Sequence, residues 1–254
     1  GEGTMRSRCL LMLVLACLWP VSSNALGFTL GMVDGDVMTP TEMMLGCGMP
    51  DEDGITQCSG MNMASENGDW TLTSWTLNLD PDPFVFANTV IQNTTGTTQT
   101  FFLNVVLPIS PVVGPPLVIS GSVQGGVTDT GGVGGPPGAP GNGALLSSAA
   151  PTAIYSAAID SLVVQTLLND PSSVSAGAFG SNSFIPSPSF LNVVLPGNTA
   201  ATNIAIFLRF NLSAGDSATF TSVFNVIPEP STAVLGGLGL LGLLAAGRRR
   251  KADR

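Results

Sequence analysis

The sequence predicts an all-β fold, an antiparallel β-sandwich, for the stretch from Leu26 to Val226, and three observations predict it. Apolar residues recur with a period of two in several separate segments. Turn-forming residues punctuate those segments. Charged residues make up only 10% of the chain, while Thr, Ser, Asn, Gly and Val abound, the usual composition of exported β proteins. About two hundred residues suffice for one such domain with a sizeable core, or for two small ones.

The elements follow in chain order. Residues 26–68 are rich in Gly, Met and Asp and show little periodicity, except that Phe28 to Val33 could be a strand. Cys47 and Cys58 lie in this segment, and in an oxidising compartment two such cysteines read as a disulfide. From Asp69 onward the pattern changes to period two. Phe84 to Ile91 reads as a strand, Asn93-Thr94-Thr95-Gly96 as a turn, and Phe101, Leu103, Val105 and Leu107 as the apolar face of a second strand, so the three are expected to form a hairpin. Residues 121–143 hold ten glycines and three prolines. Such a stretch loses much entropy on ordering and has little to bury, which predicts a long Gly/Pro-rich loop.

Ala153 to Leu168 carries two periodicities. Tyr155, Ala157 and Ile159 alternate like a strand, whereas Ile159, Leu162, Val163, Thr166 and Leu167 fit a helical stripe; the β-branched content favours strand. Phe184 to Leu195 reads as an edge strand broken by Pro186 and Pro188. The clearest unit is last. Ile204, Ile206, Leu208, Phe210 and Leu212 share one face, and after Ala214-Gly215-Asp216 the alternation resumes at Ala218, Phe220, Phe224 and Val226, where the final strand is expected to end. The sum is roughly eight or more strands, enough for two packed sheets. Trp70, Trp75 and Tyr155 fall in strand-like contexts and are expected to pack in the core.

Charge and residue types exclude several chemistries. Fifteen acidic residues fall between Leu26 and Ser231, against the single base Arg209. A domain of that sign repels nucleic acid and anionic lipid, so neither is expected as its partner. The chain has no histidine, and no lysine between Leu26 and Ser231, which removes Ser-His-Asp, Cys-His and Ser-Lys catalysis. The glycine-rich segment lacks the Gly-Lys-Ser/Thr ending of a phosphate loop. Paired carboxylates could serve a hydrolase, but most acidic residues sit in Asp-Gly or Asp-Pro turn contexts. No cofactor is expected, with calcium at Asp51 and Asp53 as the one metal candidate. Asp51-Glu52-Asp53-Gly54 resembles the middle of a calcium loop, although Asn62 stands where that loop needs a glutamate. Asn93-Thr94-Thr95 and Asn211-Leu212-Ser213 fit the N-glycosylation pattern and are read as accidental.

Both ends carry targeting features. Arg6 and Arg8 precede an apolar run from Cys9 to Trp19, and Ser23-Asn24-Ala25 offers small residues at the positions signal peptidase reads. Residues 1–25 are therefore expected to be a signal helix cleaved between Ala25 and Leu26, with Met5 as the natural start and residues 1–4 non-native or misread; acylation of Cys17 is the alternative. At the other end, residues 227–254 order Pro228-Glu229-Pro230, an uncharged apolar stretch over 232–247, and Arg248-Arg249-Arg250-Lys251. The stretch is just long enough for a transmembrane helix. The basic cluster stops translocation and stays cytoplasmic, while the two prolines keep the tripeptide extended.

In its three parts and their order, this tail resembles the PEP-CTERM sorting signal of Gram-negative bacteria, the substrate of the membrane protein exosortase. The resemblance covers about a tenth of the chain and implies cleavage near Pro228, Glu229 and Pro230. It also implies transient anchoring in the inner membrane, then a cell-surface or extracellular location linked to exopolysaccharide or biofilm. It implies nothing specific about the domain ahead of it, residues 26–226, for which a non-catalytic structural or adhesive role is the expectation. A calcium- or glycan-binding lectin-like module and a secreted carboxylate-dependent hydrolase are the alternatives.

Overall fold

A computed structural model describes residues 27–38, 47–80, 82–131 and 143–228. Among them every regular element is a strand, and the fifteen strands form two antiparallel sheets packed as a sandwich. Sheet A joins β1 (Gly27–Met32), β2 (Val37–Met38), β6 (Gln99–Pro108), β8 (Ala144–Ser148), β9 (Tyr155–Ile159), β10 (Leu162–Leu167), β11 (Ser173–Ala176) and β14 (Asn203–Leu212). Its order is β10-β9-β14-β6-β1-β2, with β8 continuing the edge of β14 beyond β9 and β11 beside β8. Sheet B holds β3 (Thr56–Ala64), β4 (Trp70–Asp80), β5 (Phe84–Asn93), β7 (Leu117–Thr128), β12 (Ser181–Ser183), β13 (Ser189–Leu195) and β15 (Ser217–Pro228). There β12 and β13 share one edge of β7, followed by β15, β5, β4 and β3. The signal and tail helices expected over residues 1–25 and 232–247 lie outside the described residues.

The inward faces are the ones the alternation marks. Phe101, Leu103, Val105 and Leu107 of β6 are buried, as are Ile204, Ile206, Leu208, Phe210 and Leu212 of β14 and Ala218, Phe220, Phe224 and Val226 of β15. Each such large side chain contributes about 1.5–3 kcal/mol, and a one-residue slip would turn the whole row to water. Phe210 of sheet A meets Phe220 of sheet B with ring centroids 4.6 Å apart, and Phe28 stacks on Trp75 at 5.7 Å. Tyr155 crosses the core from β9 and donates its hydroxyl to the Val223 carbonyl of β15 at 2.8 Å, and burial pushes its phenol well above the ordinary range.

Four sequence expectations need correction. First, Phe84 to Ile91 and Phe101 to Leu107 do not pair: β5 lies in sheet B between β4 and β15, and β6 lies in sheet A between β1 and β14. The chain crosses from one sheet to the other at Asn93–Gly96, and it crosses again at 213–216 between β14 and β15. A strand that faces the core has the same alternation whether its sequence neighbour lies beside it or across from it. Second, residues 121–128 are not loop but the second half of β7, with Val123 and Val127 buried. Third, beyond the strand offered at Phe28 to Val33, which is β1, the segment 26–68 is not irregular throughout: it also supplies β2 and the edge strand β3. Fourth, the last strand runs past Val226, with Pro228 opposite Leu117 in the ladder.

The helical alternative for Ala153 to Leu168 gives way to a β9–β10 hairpin turning at Asp160 and Ser161, both with positive φ. Of the segment Phe184 to Leu195 only β13, after Pro188, is strand; it lies along one edge of β7, where β12 precedes the segment. Trp70, Trp75 and Tyr155 are all in the core.

Candidate functional site

The sorting tripeptide begins at the end of the sandwich's last strand. β15 is a central strand, bonded to β7 on one side and β5 on the other, and Val226 donates its N–H to the Pro83 carbonyl at 2.9 Å. Ile227 and Pro228 follow as exposed residues at its end. Proline is tolerated there because the ladder needs no further donor. Beside the exit lies a depression of about 340 Å³, with Pro83, Phe84, Ile227 and Pro228 as its apolar surface and Asp80 and Asp82 at its rim. Asp80 Oδ1 accepts the Asp82 N–H at 2.9 Å, which fixes the turn between β4 and β5. Glu229, Pro230, the basic cluster from Arg248 through Arg249 and Arg250 to Lys251, and the Ala25–Leu26 junction all lie outside the described residues.

Cys47 and Cys58 are joined by a disulfide that closes the loop leading into β3. Within it Asp51 Oδ1 accepts the N–H groups of Asp53 and Ile55 at 3.0 and 2.9 Å, and Gly54 takes a positive φ of 84° to complete the turn. The carboxylate of Asp51 thus orders its own loop, while Glu52 and Asp53 stand exposed. Among the described residues no three His, Cys, Asp or Glu side chains gather as a metal site would require.

Two carboxylates that the sequence did not single out face each other at the opposite end of β15. Asp129 follows β7 and Asp216 precedes β15; they lie between the paired Thr128 and Ser217 and the hydrogen bond from the Thr130 hydroxyl to the Gly215 carbonyl. Both are buried. The N–H groups of Gly131, Phe179 and Gly143 donate to Asp129 at 2.8, 3.0 and 3.2 Å, and those of Gly131 and Phe179 do most to hold its carboxyl below the usual range. Burial pushes Asp216 upward and the neighbouring Asp129 charge adds to this, against the Ser213 hydroxyl that donates to it. A proton on Asp216 relieves the pair. Asn93, at the start of the other crossing, is also buried. Its Nδ2 donates to the carbonyls of Thr97, Leu212 and Ser213 at 2.9, 3.0 and 3.0 Å, and its backbone N–H donates to the Asp216 carbonyl at 2.9 Å. Such residues join two crossings far apart in sequence, and no local pattern announces them.

The molecule is therefore a two-sheet sandwich whose central final strand leads straight into a C-terminal sorting signal. That signal is the PEP-CTERM protein-sorting motif, whose family model matches residues 226–251. The match implies exosortase as processing partner, and with it export and processing at a membrane. It leaves the sandwich ahead of Val226 uncovered. No curated protein matches the chain. Among solved structures it is similar to TmCBM61 in complex with beta-1,4-galactotriose, at 13% identity and a TM-score of 0.25, over 61% of this chain and 88% of that one. It is also similar to a structure of the infectious bursal disease virus Gx strain, at 13% identity and a TM-score of 0.19; the likeness covers 82% of this chain and 52% of the viral one. Among the described residues no helix is long and apolar enough to cross a membrane.

Proposed function

We propose that this is an exported surface or matrix protein with a non-catalytic, structural or adhesive sandwich, delivered by exosortase and linked to exopolysaccharide or biofilm. The observation that carries the reading is the sorting motif matched at residues 226–251, which overlaps the end of β15. Signal peptidase removes residues 1–25, and the apolar stretch over 232–247 then holds the chain in the inner membrane while Arg248 to Lys251 remain cytoplasmic. Because Pro228 already belongs to the strand, only a few residues separate the domain from the apolar stretch, and it sits close to the membrane until cleavage. Exosortase recognises the tripeptide and cuts near it, leaving a mature sandwich that begins at Leu26 and ends close to Pro228.

A structural or adhesive role agrees with how the carboxylates are used. Asp51, Asp80, Asp129 and Asp160 accept hydrogen bonds from nearby backbone amides, which supports a role in shaping turns rather than in acid–base chemistry. No cofactor is required by this reading. Fractionation of cells producing Glu229→Ala tests it: the variant should accumulate at full length in membranes while the parent leaves them. Normal processing of the variant would contradict recognition through this residue.

A further inference from the structure

The outer face of sheet B contains a gap with a specific chemistry. On this face Gln124, Gly126 and Thr128 of β7 stand opposite Thr221, Thr219 and Ser217 of β15, while Ser183 of β12 flanks Gly126 on the other side. Gly126 has no side chain to stand between Thr219 and β12, and the result is an open depression of about 450 Å³. Its wall at Asn182 is fixed, because that amide donates to the Ser175 carbonyl at 2.9 Å and accepts the Ser183 N–H at 2.9 Å. The side chains of Gln124, Thr128, Thr219 and Thr221 are different. Among the described residues they take part in no hydrogen bond, so three hydroxyls and an amide point to solvent around a glycine floor.

We propose that this groove binds a neutral polysaccharide. Its lining has no charged group, and the excess of carboxylates over the single Arg209 in the exported part repels polyanions. A peptide strand cannot be added here, because β7 is already paired on both sides by β15 and by β12 and β13. An apolar ligand would find no enclosed hydrophobic pocket. Uncharged donors and acceptors spaced along adjacent strands match sugar hydroxyls. The same face continues through Asn88, opposite Thr221, to the half-buried rings of Phe86 and Phe84 on β5, which offer an apolar surface to a sugar ring. The groove lies on the sheet and not on the tail, so this inference stands or falls separately from sorting.

Native gel electrophoresis of the full chain in mild detergent, through gels containing a soluble β-glucan, a mannan or alginate, tests it. The protein should be retarded by at least one of the two neutral polymers and not by alginate. The triple variant Gln124→Met, Thr219→Val, Thr221→Val should lose about tenfold or more in apparent affinity, as expected for several hydrogen bonds removed together. Asn104→Val, on the outer face of sheet A, should bind like the parent. Should the triple variant unfold, Thr219→Val alone should still weaken binding. Absence of retardation by both neutral polymers, equal binding by the variants, or stronger retardation by alginate would each overturn the proposal.

Discussion

Gly125 of β7 stands directly opposite Phe220 of β15, and Gly121 of the same strand stands opposite Phe224. A Cβ at Gly125 would lie 3.0 Å from the Phe220 ring, and one at Gly121 would lie 2.6 Å from Phe190 and 2.9 Å from the Tyr155 hydroxyl. The rings of the neighbouring strands occupy the space the two glycines leave, so glycine here is a core residue.

Substitution at these glycines should therefore cost stability in proportion to the crowding. Gly121→Ala is expected to lose about 1–3 kcal/mol in urea unfolding and Gly125→Ala less, in the range of overpacked cores. Gly197→Ala, where a Cβ meets nothing within 4 Å, should be close to neutral. Equal stability of the Gly121 and Gly197 variants would contradict the packing described.

Asn93 should be one of the most sensitive polar positions. Asn93→Ala removes the buried side-chain donor shared by the carbonyls of Thr97, Leu212 and Ser213 and should cost about 2–3 kcal/mol. Thermal unfolding measures it. The same burial predicts that Asn93 stays unmodified in a glycosylating expression host, which intact mass would show.

Asp216 predicts pH behaviour opposite to that of Asp160. Because the carboxyl of Asp216 is raised on folding, the native state keeps a proton that the unfolded chain releases, and stability falls as pH rises from the unfolded toward the folded pKa. Asp216→Asn should remove that fall. Asp160 is lowered instead: burial opposes its charge, but the amides of Ala201, Thr202 and Asn203 and the Thr202 hydroxyl outweigh it. Its stabilisation is full above the unfolded pKa and is lost as pH falls through the folded one. Asp160→Asn keeps one acceptor oxygen, so it should lose less than the ~1 kcal/mol of a cap truncated to alanine, and it should flatten the acid limb. Denaturant midpoints from pH 3 to 8 distinguish the two.

Reduction of the Cys47–Cys58 disulfide opens a loop with a sequence separation of 11. The chain-entropy account gives a loss of about 2–3 kcal/mol. Comparing unfolding with and without reductant checks this, and an unchanged midpoint would mean that the loop contributes nothing to the sandwich.

The faces of the strands were legible because burial on one side leaves a period of two, as Phe101 to Leu107 and Ile204 to Leu212 show. Their partners were not, since Asn93–Gly96 and Ala214–Asp216 are short enough for hairpins yet carry the chain between sheets. β7 hid behind Gly121 and Gly125, whose meaning depends on rings supplied by strands later in the chain, and behind Gly126, which faces Asn182 and Ser183. β3 hid because an edge strand buries little: of its residues only Cys58 is buried. The sorting tail was legible because it is a linear motif, whereas Asp129, Asp216 and the Gly126 groove exist only once the chain has folded.

The most direct test of the account is intact mass spectrometry of the protein recovered outside cells of its native host. The account predicts a chain that begins at Leu26 and ends close to Pro228, Glu229 or Pro230. An extracellular chain still carrying Arg248 to Lys251 would contradict it.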